Sequence, residues 1–489
     1  MDVTYKKGAK IMREVKPINI DILNTFKNVD ENKVNQLLEK ELSNLNRKIV
    51  VLDDDPTGVQ TVHDISVYTD WEVDSIKSGF EEDNSMFFIL TNSRGFTVPQ
   101  TTEAHNEIAE NIVNVSKELN KDFIVISRGD STMRGHYPLE TEVLKNKIES
   151  LSHKSYDGEI IMPFFKEGGR FTIDNIHYVK EGEVLTPAGM TEFAKDKSFG
   201  YKSSHIGDWC EEKTNGEYKA SDIVYISLED LRNLKIDEIT EQLKNVKNFN
   251  KIVVNAIDYI DVKIFAIALV RAINSGKEFM IRSAAAVTKI LGGVSDKPLL
   301  TKEELVSKDN ENGGIVLVGS HVNKTTMQLE ELKNCKYPIE FIEFNPHLVL
   351  EEGGLKREVE RVINIVEEKI KNGNTVAVYT KRELVVLDTD DKDKQLMISV
   401  EISDAVTSII GKLNVRPSFI IAKGGITSSD VGTKALRVKR ANVMGQIKPG
   451  IPVWMTGEES KFSNMPYVIF PGNVGEVSTL REAVEILMA

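Results

Sequence analysis

The chain has 489 residues, of which 40% are hydrophobic and 28% charged, with a formal net charge of -13. That length exceeds one ordinary core and predicts about two to three domains, while the acidic balance argues against nucleic acid as a partner and leaves room for local anion sites. Cys210 and Cys335 are the two cysteines, too few for a disulfide framework or a zinc ribbon; no apolar run reaches membrane-spanning length, so a cytoplasmic protein with no membrane contact is expected.

Residues 1–47 are polar, and Lys6, Lys7, Lys10 and Arg13 precede no apolar core of signal-peptide length. Val34, Leu37, Leu38 and Leu42 recur at helical spacing and predict a helical N-terminal extension. From Lys48 the pattern alternates. The run Lys48-Ile-Val-Val-Leu-Asp53 predicts a buried strand, and Asp54-Asp55-Pro56-Thr57-Gly58 its turn. Further strands are predicted at Met86 to Leu90, Phe123 to Ile126 and Glu159 to Met162, with a helix from Glu103 to Leu119. Pro163 to Lys219 breaks this rhythm with glycines and aromatics, which predicts hairpins or long loops covering a site. Strands resume at Asp222 to Ser227, Lys251 to Asn255 and Phe279 to Arg282. The reading is thus a first domain over 48–294, a linker over 295–313, and a second domain over 314–489. In the last, strands are predicted at Ile315 to Val318, Glu340 to Phe344, Thr375 to Tyr379, Ser418 to Ala422 and Pro466 to Phe470. Helices are predicted at Thr325 to Leu332, Leu355 to Lys371, Val400 to Leu413 and Val477 to Met488. The fold class is two α/β domains with mostly parallel sheets and an active-site cleft expected between them.

Parallel strands bring their carboxyl ends to one edge, and there the first domain places its charge. After the acidic triplet Asp53-Asp54-Asp55 come Thr91-Asn92-Ser93-Arg94, then Ser127-Arg128-Gly129-Asp130-Ser131-Thr132-Met133-Arg134, then Gly168-Gly169-Arg170. Three adjacent carboxylates need cations, donors or a metal to offset their repulsion. Arg94, Arg128 and either Arg134 or Arg170 are suited to face them or a substrate anion. The second domain has Gly319-Ser320-His321, Gly424-Gly425-Ile426-Thr427 and Gly472-Asn473-Val474-Gly475 after strands, turns whose backbone can approach a phosphate. There is no P-loop and no dinucleotide fingerprint, and the eight histidines lack metal-ligand spacing.

This ordered set resembles the four-carbon acid sugar kinase family, over nearly the whole chain from Lys48 onward. The resemblance rests on Asp54-Asp55-Pro56-Thr57-Gly58, Asn92-Ser93-Arg94, Asp130 to Gly135, Gly168-Gly169-Arg170, Gly319-Ser320, Gly424 to Thr427 and Gly472 to Gly475. It implies a substrate domain followed by a nucleotide domain, and ATP-dependent phosphorylation of acids such as erythronate, threonate or 3-oxo-tetronate, with Mg²⁺ on the ATP phosphates. By motif it implies substrate contacts at Asp54, Arg94, Arg128, Gly129, Asp130, Ser131 and Arg170. ATP contacts are implied at Ser320, Gly424, Gly425, Ile426, Thr427, Gly472 and Asn473. Many members have Lys where Arg128 stands and Lys-Ser-Gly-Asn where this chain has Phe470-Pro471-Gly472-Asn473, and the compact members lack the leading 47 residues.

The expected mechanism seats the substrate carboxylate on Arg94 and Arg128 while Asp54, Asp55 or Asp130 orients and deprotonates the attacking hydroxyl. Two other readings stand beside it. Asp53-x-Asp55-x-Thr57 with Ile89-Leu90-Thr91-Asn92 matches the first two motifs of haloacid-dehalogenase-like phosphatases, with Asp53 as nucleophile and Asp55 as acid/base; it leaves the second domain unexplained. The third reading is a non-catalytic regulatory protein that binds ATP or a sugar acid. Whether the chain forms a homodimer stays open.

Overall fold

The computed structural model describes residues 15–385, 392–472 and 474–489. The chain divides into two compact units, Met1–Asp54 with Trp71–Ser295 and Asp55–Asp70 with Asp296–Ala489. Each is α/β with a mostly parallel main sheet, as the alternating pattern predicts.

In chain order the strands are β1 (Ile18–Asn19), β2 (Lys48–Asp53), β3 (Ile65–Tyr68), β4 (Met86–Leu90), β5 (Phe123–Arg128), β6 (Gly158–Met162), β7 (Arg170–Ile173), β8 (Ile176–Glu181), β9 (Val184–Pro187), β10 (Val224–Ile226), β11 (Asn250–Val254) and β12 (Phe279–Ser283). The first unit's main sheet runs β10-β11-β6-β12-β5-β2-β4, and every adjacent pair in it is parallel. Strands buried on both faces read as continuous apolar runs, and β2, β4, β5 and β6 are buried at every position. Because β2 lies between β5 and β4, three charged turns leave one edge side by side.

The predicted N-terminal extension contains a helix, Glu31–Ser43, capped by Asp30. It buries Val34 and Leu38 and ties to the helix Tyr259–Asn274 through Glu31–Lys263 at 2.7 Å and Glu41–Arg271 at 2.8 Å. The irregular stretch after Pro163 supplies three strands, β7, β8 and β9, of a four-stranded antiparallel sheet, β1-β9-β8-β7, whose β1 comes from the N-terminal extension. Asp174 and Asn175, both with left-handed backbone (φ 49° and 66°), join β7 to β8, a two-residue turn suited to hairpin twist.

The second unit adds β13 (Ile315–Val318), β14 (Ile339–Phe344), β15 (Thr375–Thr380), β16 (Ile420–Lys423), β17 (Arg440–Lys448), β18 (Ile451–Thr456) and β19 (Pro466–Phe470). Its order is β3-β17-β18-β19-β16-β13-β15-β14: parallel from β19 to β14, antiparallel from β3 to β19. The hairpin β17–β18, turned by Pro449-Gly450, is absent from the predicted elements; it pairs with β3 and so draws residues 55–70 into this unit. Leu300 and Leu305, within the stretch read as a linker, are buried in the second unit's core beside Val316, Val468 and Phe470. Among the described residues no helix is long and apolar enough to cross a membrane.

Candidate functional site

In the first unit the register sets Asp53 of β2 beside Arg128 of β5. Arg128 Nη1 donates to Asp53 Oδ1 at 2.9 Å and reaches Asp54 Oδ1 at 3.5 Å. Asn92, with φ 55°, turns the chain out of β4 so that Arg94 approaches from the other side. Its Nη2 and Nε donate to the two oxygens of Asp54 at 2.7 and 3.1 Å, the forked pairing that favours Arg. Asp53 and Asp54 are each 2% exposed, so these are buried ion pairs. One oxygen from each of Asp53, Asp54 and Asp55 lies within 4.8 Å of the others. Carboxylate oxygens suit Mg²⁺ in kind, but Asp53 and Asp54 already accept from arginines, and Asp55 accepts from Thr57 N at 2.8 Å and from the Thr57 hydroxyl. The triad is satisfied by protein donors and does not fit a resident divalent ion. Burial and the Arg128 bond equally make Asp53 a poor nucleophile for phosphatase chemistry.

Asp130 accepts from Arg134 Nε at 2.7 Å and from the Thr132 hydroxyl. Burial opposes its ionisation, yet the charges of Arg94 and Arg134 and these hydrogen bonds outweigh burial and hold its carboxyl well below the usual range. It is a firm hydrogen-bond acceptor and a weak proton acceptor. Met133, next in this turn, has φ 65°, a costly conformation for a bulky residue that burial in the Tyr137, Trp209 and Tyr201 cluster maintains.

Several residues that hold this turn lie beyond the sequence reading. His177 Nε2 meets Ser131 O at 2.7 Å while its Nδ1 meets Thr172 Oγ1 at 3.0 Å; burial lowers its pKa to about 4, so it is neutral and serves as donor to the carbonyl. Tyr201 donates to Thr132 O at 2.6 Å. From the adjacent strand β12, Arg282 donates to Ser127 Oγ at 2.8 Å and Glu140 Oε2 at 2.5 Å, and Ser93 donates to Glu140 Oε1 at 2.6 Å. A Cβ on Gly129 would stand 2.3 Å from Arg282 Nη2, so glycine at 129 is required for Arg282 to lie beneath the turn. An arginine closing a strand next to β5 was the available sequence signal for this; Glu140, His177 and Tyr201 carried none. Arg170 sits at the start of β7, its guanidinium 5.4 Å from the Phe193 ring centre, with Arg134 at 5.1 Å from the same ring.

The second unit builds its site from backbone. The turns after β13, β16 and β19, three adjacent parallel strands, bring Ser320, Gly424, Thr427 and Gly472 together. A Cβ on Gly319 would stand 2.3 Å from Thr427 Oγ1, one on Gly424 3.0 Å from Ser320 Cβ, and one on Gly472 3.3 Å from Ser320 Oγ. Thr325 Oγ1 donates to Gly472 O at 3.0 Å. Gly425 has open space where a Cβ would be, and Ile426 is 72% exposed. Asn473 lies outside the described residues. Lys423, whose register partner on β19 is Phe470, is fully buried and donates to Pro471 O at 2.5 Å and Gly472 O at 3.2 Å. Burial and then the charge of Lys324 lower its pKa to about 7. Arg382, following β15, donates to Ser320 O at 2.7 Å and Thr326 Oγ1 at 2.9 Å. Lys423 and Arg382 support the turns, and neither was singled out in the sequence, where a lone cation after a strand is ordinary.

Comparison with known proteins accords with this division. A model described as a sugar-binding N-terminal domain matches residues 49–291 and one described as a nucleotide-binding C-terminal domain matches residues 315–480. A Haemophilus influenzae protein from a family named as a domain of unknown function is similar in structure, with a TM-score of 0.56 at 17% identity over 90% of this chain and 100% of that one. A Salmonella typhimurium LT2 protein carrying a provisional tRNA-synthase name has a TM-score of 0.62 at 14% identity over 89% of this chain and 98% of its own. At such identities these two share the fold. No curated protein matches the chain.

Proposed function

This chain belongs to the four-carbon acid sugar kinase family, and we propose that it transfers the γ-phosphoryl group of MgATP to a hydroxyl of a small sugar acid such as threonate, erythronate or 3-oxo-tetronate. The observation that carries the reading is the pairing, in one chain, of an Asp54–Arg94–Arg128–Asp130 turn cluster with a glycine cradle around Ser320. The first suits an anionic polyol; the second suits a polyphosphate.

In this reading Asp54, Arg94, Arg128, Gly129, Asp130, Ser131 and Arg170 frame the acid. Ser320, Gly424, Gly425, Ile426, Thr427, Gly472 and Asn473 contact the nucleotide. Asp54, Asp55 and Asp130 are the carboxylates available to orient the attacking hydroxyl. Phosphoryl transfer depends mainly on positioning and charge stabilisation, so a carboxylate that arginines keep ionised can align a hydroxyl without being a strong base. The magnesium enters with ATP and neutralises its phosphates.

The test is ADP release across threonate, erythronate and 3-oxo-tetronate isomers plus a longer hydroxy acid, run beside phosphate release from sugar phosphates. ADP release that depends on one acid is expected. Phosphate release without ADP would favour a phosphatase, and tight acid binding with neither product a regulatory protein.

A further inference from the structure

Of the guanidiniums around the first unit's turns, most are already committed. Arg94 spends its fork on Asp54, Arg128 reaches Asp53 and Asp54, Arg134 holds Asp130 and lies 3.6 Å from Asp196, and Arg282 holds Glu140. Arg170 differs. Its backbone is locked by bonds in both directions with Phe165, at 2.8 and 3.1 Å, and its guanidinium lies over Phe193. Yet no carboxylate pairs with it among the described residues, and its Nε is buried without a hydrogen-bond partner. Leaving a charged group so placed costs free energy, part of which an anion meeting the exposed part of the guanidinium would return. The residue as a whole is partly exposed, and the strongest neighbouring charges are Asp130 and then Arg134. Gly168 lets this turn close onto Phe165: a Cβ there would stand 2.5 Å from Phe165 Cδ1.

We infer that Arg170 is the residue that receives the substrate's carboxylate and so selects acids over neutral polyols, while Arg94 and Arg128 keep Asp54 and Asp53 in place. The inference rests on the sugar-acid reading and names the group that recognises the acid. A planar fork with free donors matches a carboxylate's two oxygens, and Phe193 holds that fork while offering no competing acceptor. The hydroxyls of the same ligand then fall to Asp54 and Asp130, which can only accept.

The experiment is calorimetric titration of the full-length protein with D- and L-erythronate, D- and L-threonate, and the matching four-carbon polyols, for wild type, Arg170→Met and Arg170→Lys. Wild type is expected to prefer an acid over its polyol. Arg170→Met should weaken acid binding about tenfold to hundredfold, as for losing a charged hydrogen-bond partner, leaving polyol and ADP binding unchanged, so that the preference collapses. Arg170→Lys should restore part of it, and it carries the test if the Met variant fails to fold. An acid-to-polyol ratio kept at the wild-type value in either folded variant overturns the assignment, as does a wild type that binds no acid. A collapsed ratio in a protein that releases no ADP with any acid upholds the role of Arg170 while refuting the kinase reading.

Discussion

The turns after β2, β4 and β5 carry carboxylates and guanidiniums that neutralise one another, whereas those after β13, β16 and β19 carry glycines, hydroxyls and main-chain groups. In the second unit the cations next to the turns, Lys423 and Arg382, have no carboxylate partner among the described residues and bond to carbonyls instead. The difference teaches how each site can recognise a ligand. A pre-paired charge lattice fixes the positions of a few donors and acceptors and suits a small polar molecule with a definite pattern of hydroxyls. A backbone cradle with uncompensated positive charge behind it suits phosphate, which needs close approach and net charge more than pattern.

The contrast breaks most visibly at Asp54. Replacing it with Ala strands the Arg94 fork and half of the Arg128 contact, and losing one partner of a buried pair costs about 3–5 kcal/mol; Arg94 is 24% exposed, which puts the expected loss near the lower end. Urea denaturation should show it, and turnover at saturating ATP should collapse even for Asp54→Asn. Undiminished turnover in the Asn variant would remove Asp54 from the site.

A smaller effect, in the other unit, is expected from Gly424→Ala. Gly424 has φ 127°, a conformation that costs an L-residue about 1–3 kcal/mol, and its Cβ would press on Ser320 Cβ and Thr427 Oγ1. ADP affinity should fall about tenfold, the equivalent of ~1.4 kcal/mol, with sugar-acid binding unchanged. Equal loss of both ligands would mean that the variant had damaged the fold instead of the cradle.

Lys423 separates the units by pH. Its unfolded form keeps its proton up to about 10.5, its folded form only to about 7. Between those values the unfolded state binds more protons, so this group's cost to stability is fully present below pH 7 and fades as pH rises to 10.5. Lys48, which donates to Glu82 O in the first unit, gives a slope of the same sign that begins near pH 8. Denaturation of wild type and Lys423→Met from pH 6.5 to 10 should show the slope between 7 and 8 lost in the variant. Its stability at neutral pH should change little, because the lost bonds to Pro471 and Gly472 offset the removed burial cost. A slope identical in both would show that the lysine titrates normally.

The first unit's charged residues were legible because each follows an apolar strand, and parallel pairing brings such ends together. Asp54, Arg94, Arg128 and Asp130 meet for that reason alone. Their supports were not legible: Glu140 and Arg282 join across 142 positions, and sequence spacing is silent on contacts that depend on which helix covers which strand. The glycine turns were legible as turns, but Lys423 matters through its cross-strand partner Phe470, and strand order is not written in either segment. The hairpin β17–β18 escaped although its signal is present: burial alternates strictly along β17, at Ala441, Val443, Gly445 and Ile447, and Pro449-Gly450 is a two-residue turn between the strands.

The least change, Tyr201→Phe, asks how finely the first site is tuned. The hydroxyl donates to Thr132 O, and His177 meets the carbonyl of the preceding residue, so the small antiparallel sheet and the loop after it grip consecutive peptide groups beside Asp130. Burial and the nearby Asp130 charge raise the Tyr201 pKa, which keeps the donor protonated at any working pH. Phe fills the same space, so the loss should be one hydrogen bond, about 1 kcal/mol. If that bond fixes where Asp130 and Ser131 stand, KM for the acid should rise a few-fold while kcat and ADP affinity stay put; if it only adds stability, the melting temperature should fall and KM should not move. A rise in KM would show that the charge lattice depends on this outer sheet for its geometry. In the second unit the turns are held by Lys423 and Arg382 and, from the helix Asn323–Leu332, by Thr325 and Gln328, whose side chains donate to Gly472 O and to Val474 O and Glu476 O.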